Sequence, residues 1–270
     1  MLNIAVRAAR AAGDIIARAV DQVDTLAVTT KSRNSFVSEV DRRAEDAAIR
    51  ILRKAYPDHA VLAEESGTTA GAADYQWIID PLDGTTNFLY GVPHFAVSIA
   101  VRHRGRLEHG VIYDPVRNEL FTASRGAGAQ LNGRRIRVSQ RTRLEDTLLA
   151  TGFPYADMTH LEPYLEMLRV LIPRTAGIRR AGAASLDLAY VAAGRHDGFW
   201  EIGLNLWDIA AGVLLIEEAG GLVGDFTGAP RHLETGHIVA GNPKIFKALL
   251  QALRPHLPPA LRQGAAAGSG

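Results

Sequence analysis

The sequence predicts a mixed α+β and α/β fold. Three observations carry this: two amphipathic helical stretches open the chain, short strands separated by turn residues fill its middle, and helices alternate with strands from about Leu144 onward.

In chain order, helical periodicity covers Ile4 to Val20. It returns over Asp41 to Tyr56, where Ala44, Ala47, Ala48, Ile51, Leu52 and Ala55 fall at helical spacing until Pro57 ends the helix. Two helices are therefore expected before the first strand. The bulky apolar run Trp77 to Ile79 reads as a buried strand, stopped by Pro81 and the turn dipeptide Asp83-Gly84. From Phe95 to Val138, short strands are punctuated by turn signals at His103-Arg104-Gly105, at Asp114-Pro115 with Arg117-Asn118, and at Asn132-Gly133, the pattern of an antiparallel meander. Further on, Thr147 to Thr151, Phe199 to Ile202, Leu222 to Gly224 and Ile238 to Ala240 read as strands. Leu161 to Leu171, Ala184 to Ala193, Asp208 to Ala219 (closed by Gly220-Gly221) and Pro243 to Leu253 read as helices. The expected organisation is one domain over residues 1–257, with an α+β half to about residue 143 and an α/β half from about 144. Residues 258–270, ending Gln-Gly-Ala-Ala-Ala-Gly-Ser-Gly, offer nothing to bury and are expected to be a disordered tail.

Composition narrows the function classes. A 270-residue chain that is 47% hydrophobic can bury a large core. The absence of cysteine excludes a disulfide scaffold, Cys-ligated zinc and iron–sulfur clusters, so any metal site must use oxygen or imidazole ligands. Arg7, Arg10, Asp14 and Arg18 interrupt the amino-terminal apolar residues before they reach signal-peptide length, and no apolar run approaches the roughly 20 residues of a membrane span. A net charge of +1 provides no basic surplus for a nucleic-acid backbone. The nine histidines form no His-x-x-x-His pair around a Glu, which removes metalloprotease chemistry. A cytoplasmic enzyme is the expected setting.

The densest chemistry lies in Trp77-Ile78-Ile79-Asp80-Pro81-Leu82-Asp83-Gly84-Thr85-Thr86-Asn87-Phe88, where a strand ends in two carboxylates, a turn and two hydroxyls. Ligands collect at the carboxyl ends of strands in open α/β sheets, and N–H groups from Gly84 to Thr86 form an anion cradle if a helix follows. Two carboxylates would repel a phosphate unless divalent cations lay between them, and hard oxygen ligands select Mg²⁺ or Mn²⁺. An isolated Asp-Gly would be an ordinary turn.

This string resembles the metal-binding signature of the inositol monophosphatase family, phosphatases of small phosphorylated metabolites that depend on Mg²⁺ and are typically lithium-sensitive. The resemblance recurs in the right order. It includes Ala60 to Ser66 around Glu64, Arg179 to Tyr190, Gly194 to Trp200, and Glu201 to Gly212 with its Trp207-Asp208 pair. It spans roughly Ala5 to Leu250 and implies a layered α-β-α-β-α arrangement. By resemblance, one ion takes Glu64, Asp80, the Leu82 carbonyl and the Thr85 hydroxyl, and a second takes Asp80, Asp83 and Asp208. Glu64 also serves a third Mg²⁺, which gives two or three per site, while Glu65 is not a main ligand. Thr85, with Asp41 behind it, orients and deprotonates the attacking water. Gly84 and Thr85 cradle the phosphate, and Lys31 belongs to a flap over the metals.

For the substrate, the resemblance implies that Asp83, Asp208, Glu201 and the backbone of Gly182, Ala183 and Ala184 contact a small phosphorylated polyol. Ala183 stands where several family members carry a hydroxyl, and Ala63 where glycine is usual. The segment from Gly182 to Gly198 looks most like bacterial inositol-1-monophosphatases, so myo-inositol 1-phosphate is the first expected substrate. Fructose 1,6-bisphosphate, histidinol phosphate and nucleotide 3′-phosphates are alternatives. The family is usually dimeric, and a homodimer is expected here. Some bacterial members bind RNA or the transcription machinery, for which Arg179-Arg180 is the surface to test.

Overall fold

Ala5, Ala8, Ala9, Ala12 and Ile16 fall on one stripe of α1 (Leu2–Ala19), and Val40, Ala44, Ala48 and Leu52 on one stripe of α2 (Glu39–Ala55); both stripes are buried. Small residues let the two helices lie close together on a sheet. The computed structural model describes residues 1–20, 28–32, 35–72, 74–155 and 157–262. Between the helices runs an antiparallel hairpin, β1 (Val28–Ser32) and β2 (Ser35–Ser38). This corrects the expectation that two helices precede any strand: the segment is polar, with no alternating apolar face to betray a strand, and it pairs only with itself. Lys31 lies on β1, and its side chain falls outside what the structure describes.

The remaining strands of the first half are β3 (Ala60–Ala63), β4 (Gly67–Thr69), β5 (Tyr75–Asp83), β6 (Ala96–His103), β7 (Arg106–Asp114), β8 (Glu119–Ser124), β9 (Gly128–Leu131) and β10 (Arg134–Arg135), with the short helix α3 (Thr85–Leu89) after β5. They form one sheet in the order β10-β9-β8-β7-β6-β5-β3-β4. The meander from β5 to β10 is antiparallel, whereas β3 joins β5 in parallel. The hairpins turn where expected: Arg104-Gly105 and Asn132-Gly133 each place two consecutive residues at positive φ, which matches the twist of the flanking strands.

The second half contains β11 (Leu148–Thr151), α4 (Leu161–Leu171), β12 (Gly177–Arg179), α5 (Ala184–Ala192), β13 (Gly198–Glu201), α6 (Leu206–Glu218), β14 (Leu222–Gly224), α7 (His232–Thr235), β15 (Ile238–Gly241), α8 (Pro243–Leu253) and α9 (Pro259–Arg262). Its sheet runs β12-β11-β13-β15-β14, parallel across β12, β11 and β13. Helices α5 and α6 are apolar nearly all round because they are sandwiched between the two sheets. With α1 and α2 outside the first sheet, and α4 and α8 outside the second, the layers are α-β-α-β-α.

The carboxyl terminus departs from expectation. Leu257 and Leu261 are buried against Leu253 and its neighbours, so Pro259–Arg262 form the short α9 rather than a disordered tail; apolar anchors four residues apart outweigh the prolines around them. Residues 263–270 lie outside the described residues. Among the described residues, no helix is long and apolar enough to cross a membrane.

Candidate active site

Asp80 pairs with Ser98 across the β5–β6 ladder, but Asp83 pairs with Ala96, so β5 carries an extra residue between them. On a regular strand a three-residue spacing would send the two carboxylates to opposite faces. Pro81 cannot donate to the ladder, and the bulge re-aims the chain there. Parallel pairing of β3 with β5 sets Ala63 opposite Ile79, and Glu64 donates its N–H to the Ile79 carbonyl at 3.1 Å, which brings Glu64 abreast of Asp80.

Gly84 then turns the chain at φ 93°, and a Cβ there would also lie 2.9 Å from the His94 carbonyl oxygen. Thr85 follows. Its hydroxyl stands 3.0 Å from Asp41 Oδ1 and 3.0 Å from the Leu82 carbonyl oxygen, so its single hydrogen can turn to either acceptor. Asp41 is 1% exposed, in the first turn of α2. Asn87 donates through one Nδ2 to the carbonyls of His94 at 2.8 Å and Ala181 at 2.9 Å, and so staples this loop to the segment before α5.

The second half delivers the other side chains. Asp83 Oδ2 accepts from the Ser185 backbone N–H at 2.7 Å and from the Ser185 hydroxyl, so the start of α5 is turned onto this carboxylate. The helix bearing Asp208 starts two residues before the expected position. Asn205 is the N-cap, and Asp208 is the N3 member of a capping box, accepting the Asn205 N–H at 2.7 Å. Asn205-Leu206-Trp207-Asp208 encodes that box, with Asn205 rather than Asp208 as its first residue. Glu201 closes β13 with its carboxylate laid over Gly152, where any Cβ would overlap all three of its terminal atoms.

Burial and mutual repulsion raise the affinity of these groups for protons or other cations. Asp80 is pushed well above the ordinary carboxylate range by burial, then by Glu64, Asp83 and Asp208. Burial lifts Asp83 to about 6 despite the N–H groups opening α5. Asp208 is raised by burial and by Asp83, and Glu201 by burial, Asp187 and Asp208, with Arg180 acting the other way on Glu201. A cavity of about 150 Å³ is bounded by Asp83, Asp208, Glu201, Asp187, Arg180 and the backbone of Gly182 to Ala184. A larger cavity of about 710 Å³ beside α8 is lined by Lys247, Arg254 and Arg262 among apolar residues, and offers no carboxylate.

The donor set fits a hard divalent cation: oxygen ligands only, enclosed, and short of positive charge. Among the described residues, no three acidic or imidazole side chains converge at metal-ligand spacing; Asp83 is engaged by Ser185 and Asp208 by Asn205. Glu64, Asp80, Leu82, Asp83, Thr85, Asp41, Asp208, Glu201 and Gly182 to Ala184 thus meet around one region drawn from both halves. Sequence reasoning missed Ser185, Asn87, Gly152, Arg180 and Asp187. Thr151-Gly152 at the end of a strand was a readable signal; Asn87 and Ser185 are fixed by contacts across 90 or more positions, and Arg180 and Asp187 by packing that no short motif announces.

A model of the inositol monophosphatase family matches residues 1–257. The chain belongs to this family. The Nus factor SuhB of Pseudomonas aeruginosa is 62% identical over 268 residues, covering 97% of this chain and 99% of the relative. The extragenic suppressor protein SuhB from Bartonella henselae has a solved structure with TM-score 0.92 and 48% identity, covering 94% of this chain and 98% of that one. The inositol monophosphatase of Anabaena aligns at TM-score 0.83 and 41% identity, over 96% of each chain.

Proposed function

We propose that the chain is a Mg²⁺-dependent phosphomonoesterase of small phosphorylated polyols, with myo-inositol 1-phosphate as the first substrate. The observation that carries this reading is the enclosure of Glu64, Asp80, Asp83 and Asp208 around one region, short of positive charge, beside a hydroxyl held between Asp41 and the Leu82 carbonyl. Two or three Mg²⁺ bound there would supply the charge that phosphoryl transfer demands on its attacking and leaving oxygens. Glu64, Asp80, the Leu82 carbonyl and Thr85 would hold one ion, and Asp80, Asp83 and Asp208 another.

The protein's own part is proton handling and orientation. With the Thr85 hydroxyl hydrogen directed at Asp41, the Leu82 oxygen keeps its lone pairs for a cation, and Thr85 Oγ1 can take a proton from the attacking water as its own proton passes to the Asp41 carboxylate. Gly84 and Thr85 open α3 toward the phosphate. Glu201, with Asp83, Asp208 and the backbone of Gly182 to Ala184, accepts or donates to hydroxyls of the leaving alcohol. A homodimer is part of the same reading.

The test is phosphate release from inositol 1-phosphate, fructose 1,6-bisphosphate, histidinol phosphate and adenosine 3′,5′-bisphosphate, with Mg²⁺ and with EDTA. Release is expected only with Mg²⁺ and fastest from inositol 1-phosphate. A different leading substrate moves the enzyme within its family, and no release from any of the four overturns the reading.

A second reading, association with RNA or the transcription machinery, draws on the Nus factor name carried by a relative that is 62% identical. Arg179 and Arg180 are exposed and adjacent. RNA retention that falls steeply between about 50 and 200 mM salt, and falls further in Arg179→Ala, is the expected signature. Retention undetectable at physiological salt removes the RNA form of this reading.

A further inference from the structure

Among the described residues, the buried carboxylates of Asp114, Asp225 and Glu45, which lie away from the cavity, have both oxygens paired. Asp114 accepts the backbone N–H groups of Val116 and Arg117 and a guanidinium nitrogen of Arg117, all at 2.9 Å. Asp225 accepts from Thr227, Ala229 and Arg231, and Glu45 from the N–H groups of Glu65 and Ser66. Asp187 differs. In the first turn of α5 and 1% exposed, it forms part of the wall of the 150 Å³ cavity shared with Glu201, Asp83 and Asp208. Its Oδ1 is buried with no hydrogen-bond partner. The polar atom facing it is His196 Nδ1, 3.7 Å away and itself buried without a partner. A buried carboxylate oxygen without a partner is costly to the fold, so a residue that keeps one while walling a polar cavity is a candidate for pairing with a ligand through its carboxylate.

His196 has the properties of a support. Burial drives its pKa down to about 4, so the ring is neutral and carries one hydrogen. It is packed edge-on against Tyr190, with ring centroids 5.4 Å apart. With the hydrogen on Nδ1, the ring faces Asp187 Oδ1 as a donor and needs only a small approach to bond it. Arg180, also in the cavity wall, supplies positive charge toward both Asp187 and Glu201, its guanidinium lying 5.0 Å from the centre of the Phe153 ring and 5.2 Å from that of Tyr155.

We propose that Asp187, positioned by His196, accepts a hydrogen bond from a second hydroxyl of the leaving alcohol and so makes the site selective for polyol phosphates over esters that lack one. Glu201 and Asp187 then read two different hydroxyls of one substrate. The inference rests on the phosphomonoesterase reading.

The experiment measures kcat/KM, with Mg²⁺, for inositol 1-phosphate and for 4-nitrophenyl phosphate, which has no alcohol hydroxyl to read. Asp187→Leu, nearly equal in shape, is expected to lower the ratio of the two by about tenfold or more. His196→Phe should lower the same ratio mainly through KM, and His196→Asn, whose Nδ2 hydrogen stands near the place of Nδ1–H, should restore it. If Asp187→Leu fails to fold, the two His196 variants decide. An unchanged ratio, or equal losses in His196→Phe and His196→Asn, overturns the proposal. If the wild type hydrolyses neither ester, the phosphomonoesterase reading fails, and thermal melts decide the rest. A rise in Tm with inositol 1-phosphate that Asp187→Leu abolishes supports the hydroxyl contact, whereas no rise in the wild type overturns it. Loss of a Mg²⁺-induced rise in Asp187→Leu would make the residue a metal ligand, and also overturns the proposal.

Discussion

Asp83→Asn is expected to lower kcat/KM for inositol 1-phosphate by on the order of 10²–10³-fold while the protein stays folded. The change removes one negative charge at nearly constant shape, and the Asn carbonyl can still accept the two Ser185 bonds that hold Asp83. Melting curves separate lost chemistry from lost fold. Burial raises the folded-state pKa of Asp83 to about 6, so its stabilising share is complete below the ordinary carboxylate range and is lost as pH rises through about 6. In EDTA above pH 6, the variant should therefore melt at or above the wild-type temperature, and that advantage should disappear on acidification toward pH 4. The rise in Tm that Mg²⁺ gives the wild type should be absent. Wild-type turnover in Asp83→Asn would remove this residue from the proposed ligand set.

Gly152→Ala is expected to cost about 10²-fold in polyol phosphate turnover, because the new methyl group occupies the place of the Glu201 carboxylate. Glu201 can leave only by giving up its enclosed position beside the cavity. Overpacking at that point should also lower stability, by about 1–3 kcal/mol. Kinetics on inositol 1-phosphate and 4-nitrophenyl phosphate, with a thermal melt, check both parts. If selectivity between the two esters is unchanged in a protein that melts earlier, Gly152 serves packing alone and Glu201 reads no hydroxyl.

Local pattern made much of this protein legible. The alanine spacing of α1 and α2 is a helical stripe in any context, and Arg104-Gly105 and Asn132-Gly133 turn hairpins for reasons contained in a few backbone dihedrals. The Asp-Pro-Leu-Asp-Gly-Thr-Thr string marks a strand end with oxygen ligands for the same local reason: proline and glycine break the ladder next to two carboxylates. The misread places are those where the local signal was weak or shared. Val28–Ser32 and Ser35–Ser38 pair as strands although their sequence shows no alternating apolar pattern, Leu261 anchors a tail that composition alone would release, and Asp208 is third in its helix because Asn205 caps it.

What the chain determined by itself, then, was its list of elements and most of the residue types around the candidate site, because helix periodicity, turn chemistry and ligand hardness are properties of short segments. Only the tertiary structure decided which of those residues meet. Glu64 comes abreast of Asp80 through parallel pairing of β3 with β5, Asp83 is held by Ser185 from 102 positions away, and Asp187 is left facing His196 without a partner. Such meetings depend on how two sheets pack across α5 and α6. That packing is set by the summed burial of many side chains, and no single segment encodes it.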